Sequence, residues 1–250
     1  MLDAVAMETH TDAMLREHTA DLDKLSDGLK AETFDFGRDS TEDVAQLGQC
    51  RAVARVLRAD AKRLLAEGDK DGAARRVAAI VRLGTGVAGP GRNLLDVMTG
   101  MALVSMAADF VKSNPALAEA AWKTDLQQAL QAVGRGGTLN SIAALRSEID
   151  GAVSSLRKGE PLDMRGTGGR EWSSASAAER EDAAAKLAGL RDDLLRAWEA
   201  PDAVFQVKAV VARAKEQGIE EFVGILGQLR ESIEKLRVDV GAANSVLRKK

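Results

Sequence analysis

From Leu47 to Leu83 the apolar side chains recur three and four residues apart, and this spacing constrains the chain more than any other feature. Leu47, Cys50, Val53 or Ala54, Leu57, Ala61, Leu64 and Leu65 fall on one face of a helix that turns once in about 3.6 residues. Gly68 ends that helix, because glycine enters the left-handed conformation without a Cβ clash. Asp69 or Asp71 can then accept the free N–H groups of a following helix, which carries Ala73, Ala74, Val77, Ile80, Val81 and Leu83. Two helices joined by about three residues make an αα-hairpin.

The rest of the chain continues in this mode. Aromatic residues are only 3% and tyrosine is absent, so a core has to be assembled from Ala, Leu, Val, Ile and Met. Ala and Leu are strong helix formers and β-branched runs are short, which favours helix over sheet. Pro90, Pro115, Pro161 and Pro201 read as helix boundaries. The expected fold is all-α, a helical bundle of about eight or nine helices around the hairpin.

A first helix is expected from residue 2 to about residue 30, with Leu15, His18, Leu22, Leu25 and Leu29 as its apolar seam. Phe34 and Phe36 read as a plug at the core edge, and Ser40 with Asp43 resembles a capping box. The run Gly84 to Gly91 reads as a break without regular structure. The helix after it, from about Arg92 to Lys112, is apolar on nearly all sides and is expected at the centre of the bundle. Asn114-Pro115 starts another helix, and further helices follow from Asn140 to Leu156, from Ser176 to about Trp198, and from Pro201 to about Gly218. Ser176 and Glu179 have capping-box spacing. Residues 157–175 are the longest irregular segment. The last helix has the most regular seam: Ile219, Phe222, Leu226, Leu229, Ile233, Leu236, Val240, Ala243 and Leu247. The chain is read as one helical domain over 1–250, with two possible lobes, 1–157 and 175–250.

Ala61, Leu64, Gly68-Asp69, Ala73 and Val77 resemble a single tetratricopeptide hairpin, over about residues 54–87. In that likeness Ala61 and Ala73 allow the two helices to approach closely, and Gly68-Asp69 forms the turn. The family's aromatic and proline positions are not kept, and no second copy follows at its 34-residue period. The resemblance therefore implies hairpin geometry, not a repeat protein. The segment from Ala66 to Gly84 is also similar to bacterial helical proteins, which implies a fold and no activity.

Few residues invite a chemical role. Gly84, Gly86 and Gly89 match the spacing of a dinucleotide-binding loop, but that motif needs a preceding strand and the residues before it are helical. Arg165-Gly166-Thr167-Gly168-Gly169-Arg170 can present backbone N–H groups and two guanidinium groups to an anion, yet it lacks the Gly-Lys-Ser/Thr ending of a phosphate loop. Gly84, Gly86, Arg92, Arg165 and Arg170 are thus the candidate ligand or anion positions. His10 and His18 are eight residues apart, not the i, i+4 of a zinc pair, and His18 sits in the seam as a core histidine. Cys50 lies on an apolar face as a small hydrophobe. No catalytic residue, metal site or cofactor is expected.

The charge balance is 35 basic against 38 acidic side chains, net −3, with both signs interspersed along nearly every helix. This argues against nucleic acid, which demands a concentrated basic face. No stretch approaches the roughly 18 consecutive apolar residues of a membrane span, so no transmembrane segment is expected. Met1-Leu2-Asp3 lacks the pattern of a signal peptide. One cysteine excludes an intrachain disulfide and leaves the compartment open between the cytoplasm and export with a leader removed. The expected function is a non-enzymatic helical interaction or structural protein, with a protein partner possible. Its expected partner face is Phe222, Leu226, Leu229, Ile233 and Leu236, or the hairpin's concave face. The alternative is a small-ligand-binding module with a site between helices near 84–92. A monomer is slightly favoured over a homodimer.

Overall fold

The computed structural model describes residues 11–30, 44–89, 93–135, 141–160 and 172–249. Among these the chain is all-α: ten α-helices and no strand. After a helical stretch over 11–17, the helices are α1 (Thr19–Gly28), α2 (Val44–Ala66), α3 (Lys70–Val87), α4 (Leu94–Ser113), α5 (Lys123–Arg135), α6 (Ser141–Lys158), α7 (Ala177–Glu199), α8 (Ala203–Glu216) and α9 (Gly224–Arg248). The count exceeds the expected eight or nine because the N-terminal helix is interrupted at His18, whose ψ of 13° departs from helical geometry. That side chain is exposed and faces Asp21 (Nδ1 to Oδ2 3.5 Å), so the core role expected for His18 is not the observed one. His10, Phe34, Phe36 and the Ser40–Asp43 box lie outside the described residues.

The chain divides into two units, 1–139 with 236–250, and 140–235. The second boundary falls within α9.

In the first unit α3 is the hub, in contact with α1, α2, α4, α5 and the 3-10 turn Pro115–Glu119. Sequence reasoning put the following helix at the centre. The reason for the difference is side-chain size. Ala73, Ala74, Ala78, Ala79 and Gly84 are all buried on α3, so neighbours can press close from several directions. Helix α4 keeps Leu95 exposed, and Leu94 and Met98 only half-buried, while Met101 is buried. It is also the one helix among the described residues long and apolar enough to cross a membrane; 61% of that window is buried inside the chain, as in a core helix.

The α2–α3 connection follows the sequence closely. Gly68 has φ +87°, the left-handed conformation that a Cβ would strain. Asp69 caps α3 by accepting from Gly72 N at 2.8 Å. Asp71 instead accepts from Ala121 N at 2.5 Å, holding the chain ahead of α5 against the start of α3.

Gly84 to Val87 are helical, not a loop. Here α3 and α4 approach so closely that only glycine fits. A Cβ on Gly84 would stand 2.7 Å from the Gly100 carbonyl oxygen, and one on Gly100 would overlap the Gly84 carbonyl oxygen and stand 2.6 Å from Ala88 Cβ. Tertiary contact thus extends a helix through residues that on their own favour a break.

The second unit stacks α6 on α7 and α7 on α8. Ser176 and Glu179 form the expected capping box at the start of α7. Trp172 lies 5.6 Å from Phe222 and donates its indole N–H to Glu221 Oε1 at 2.9 Å. Asp193 on α7 pairs with Arg213 on α8 at 2.8 Å and with Arg196. Gly218, with φ +70°, separates α8 from the 3-10 turn Glu220–Phe222, so the last helix starts at Gly224 and not at Ile219.

Two outcomes follow. Gly100→Ala lowers stability by about 1–3 kcal/mol through overpacking, although the same change in an open helix gains about 1 kcal/mol. Gly189→Ala on α7, where an added Cβ meets nothing within 4 Å, raises stability by about 0.4–1 kcal/mol; urea melts of the two variants should move in opposite directions. Separately, hydrogen bonds from Arg213 and then Arg196 hold the Asp193 carboxyl below its ordinary value. Its contribution to stability is therefore present above the unfolded pKa of about 4 and is lost as the pH falls through the lower folded value. Arg213→Ala should flatten the fall in stability below about pH 4, read from melts across an acid series.

Candidate functional site

The charges of α2 are sorted by direction. Asp60 is its only carboxylate, and it points inward with no exposure. Asp60 Oδ2 accepts from Arg76 Nε at 2.7 Å, and Oδ1 accepts from Arg63 Nε and NH2 at 2.9 and 2.7 Å. Arg76, 1% exposed, also donates to Ser26 Oγ at 3.1 Å and reaches Asp23 Oδ1 at 2.7 Å. Arg63 NH1 donates to Glu67 Oε2 at 2.6 Å, and Glu67 Oε1 accepts from Arg16. This network ties α1, α2 and α3 together, and its charges satisfy one another.

What remains on the outside of α2 is of one sign. Arg51, Arg55, Arg58 and Lys62 are all exposed, at steps of four, three and four residues that keep them on one face. Arg51 NH2 donates to Thr99 Oγ1 on α4 at 3.1 Å, which fixes that end of the row. At the other end a half-open cleft of about 420 Å³ lies between α2 and the end of α4. Arg55, Arg58, Ala59 and Lys62 line it on one side, and Phe110, Ser113 and Asn114 on the other. Asn114 Nδ2 donates to the Phe110 carbonyl at 2.7 Å, closing off one of the free carbonyls at the α4 terminus. Among the described residues no carboxylate lines the cleft. Basic side chains thus stand on one wall of the cleft and apolar surface on the other.

Of the ligand or anion positions singled out by sequence, Gly84 and Gly86 are described, and neither lines this cleft. Gly84 is buried against Gly100, and Gly86 is half-buried in the last turn of α3, its carbonyl accepting from Gly89 N at 3.2 Å. Arg92, Arg165 and Arg170 fall outside the described residues. Of the expected partner face, Leu226, Leu229, Ile233 and Leu236 are buried within the chain and Phe222 is half-buried. Cys50 is buried. Among the described residues no group of His, Cys, Asp and Glu is placed to hold a metal ion.

The basic face was missed because charges were weighed helix by helix with their signs mixed. Its signal was present as Arg51, Arg55, Arg58 and Lys62 at helical spacing, with the lone Asp60 on the opposite, apolar side. Comparison with protein-family models, with curated proteins and with solved structures gives no match.

The inner network has a direct test. Asp60→Ala leaves Arg76 buried beside Arg63 without their shared carboxylate. Breaking a buried pair in this way costs about 3–5 kcal/mol. Thermal melts should show a loss of that size, and a loss under about 0.5 kcal/mol, typical of a surface change, would mean that the pair is not dry.

Proposed function

We propose that this chain is a non-enzymatic helical interaction protein that works as a monomer and meets an anionic partner through the outer face of α2. The observation that carries the reading is the row Arg51, Arg55, Arg58 and Lys62, exposed together while the only carboxylate of their helix is buried. Charges of one sign on one face steer an oppositely charged partner and set its register more than they raise affinity. The partner's contact surface is acidic.

The tetratricopeptide likeness belongs to this reading. Ala61 and Ala73, both fully buried, support close helix approach, and the Gly68-Asp69 turn supports a hairpin of that kind. One such hairpin, framed by α1, α4 and α5 in its unit, is a rigid platform for a contact face. The monomer reading is supported by the last helix, whose seam from Leu226 to Leu247 is buried within the chain and so is not itself open to a second copy.

The experiment is binding to immobilised polyglutamate at about 50 mM and about 300 mM salt, a range over which the Debye length roughly halves. Wild type should bind and weaken as salt rises. A triple variant, Arg51→Glu, Arg58→Glu and Lys62→Glu, should not bind while keeping its helical circular dichroism. Failure of the wild type to bind at the lower salt overturns the reading.

A further inference from the structure

We infer that the cleft at the end of the basic face is a binding site for an organic phosphate: a phosphate or diphosphate group carried on a body with apolar surface. The inference rests on the reading of the α2 face as the working surface and names what its enclosed end takes.

Size comes first. A cavity of about 420 Å³ falls within the range of small-molecule sites and far exceeds what a water or a halide ion needs. Charge comes second. Arg55 and Arg58 are three residues apart, so their Cα atoms are about 4.5 Å apart along the helix axis. Both side chains line the same cleft, and neither is in an ion pair with a described carboxylate. Two guanidinium forks on adjacent turns match the several oxygens of a phosphate or diphosphate, with Lys62 as a third cation one turn further on. A carboxylate brings one charge to the two guanidinium groups; a phosphate monoester brings up to two.

The wall opposite gives the rest. Phe110, buried at the cleft floor, offers apolar surface, and Ser113 and Asn114 put a hydroxyl and an amide beside it. The C-terminal end of α4 is the negative pole of its macrodipole, about half a charge, which opposes an anion. The two guanidinium groups of Arg55 and Arg58 outweigh it, and the Asn114 amide already occupies one of the carbonyls. The phosphate therefore sits on the α2 side and the body lies towards Phe110.

Isothermal titration of the whole chain with a nucleoside diphosphate, with the uncharged nucleoside and with inorganic pyrophosphate tests the assignment. The nucleoside diphosphate should bind once per chain, about tenfold tighter than pyrophosphate because of its apolar body, and the nucleoside alone should not bind. Arg58→Ala should weaken binding about tenfold, the loss of one charge-assisted contact. Ala59→Trp keeps every charge and fills the cleft, so it should abolish binding. Both variants change exposed or half-exposed positions, and circular dichroism checks their fold. Phosphatidylcholine vesicles with and without phosphatidate distinguish a lipid headgroup from a soluble phosphate: binding that depends on phosphatidate and is lost in Ala59→Trp supports the site with a lipid as its source. Absence of binding to every phosphate probe overturns the inference, as does binding that Ala59→Trp leaves unchanged. If polyglutamate still binds in either case, the α2 face stands and only the cleft assignment falls; if polyglutamate fails too, both fall.

Discussion

The buried carboxylate of Asp60 is the interaction on which the first unit depends. It takes a hydrogen bond from Arg76 of α3 and two from Arg63 of α2 at zero exposure, while Arg76 carries the contact on to Ser26 and Asp23 of α1. Such a cluster adds little net stability over a well-packed apolar replacement, because each ion must leave water. Its effect is selective. A hairpin built largely of alanine and leucine can slide by a turn and still bury similar area, but such a slide would take Arg76 away from Asp60, Ser26, Asp23 and the Thr19 carbonyl together. By holding the single acidic group of α2 inside, it leaves the exposed face of that helix with cations alone.

Close packing takes over where charge leaves off. With aromatics at 3%, the core lacks large side chains that fill space over long reach. The chain compensates by bringing backbones together, as at Gly84 on Gly100 and along the alanines of α3. Small residues permit short interaxial distances, and dispersion between backbones and methyl groups then replaces what rings would supply. This explains why the hub is α3 and not the more hydrophobic α4. Centrality in this unit follows from how closely a helix can be approached, whereas α4 is the more apolar helix yet leaves Leu95 in water.

The same physics decides what was legible in the sequence. Helix identity was, since the 3-4 spacing of Leu57, Ala61 and Leu64 is local, and so were the Gly68 turn and the Ser176–Glu179 box, which involve residues within a few positions of each other. Features set by distant residues were not. The helical state of Gly84 to Val87 depends on Gly100, and the interruption at His18 is a matter of one backbone angle. The heptad seam of α9 was legible as buried, but its residues were offered as a partner face because periodicity alone does not say what covers a stripe. The basic face of α2 was readable in principle: four cations at steps of four, three and four, with the one acid out of phase. It was obscured by counting both signs together along each helix.

That distinction between total and local charge bears on how the face works. The chain carries a net −3, which on its own would repel an anion. At physiological ionic strength, however, the Debye length is about 8 Å. From Arg51 to Lys62 the row runs eleven residues, about 16 Å along the helix, or roughly two Debye lengths. An approaching anion near its middle feels the four cations and little of the acidic surface far from them. On the proposed reading, such a row would act on an anion at contact range even on a weakly acidic protein, and the cleft at its end would add the apolar surface of Phe110. On the proposed reading, an anion without an apolar body would gain the charge alone, and Phe110 would set selectivity together with the arginines.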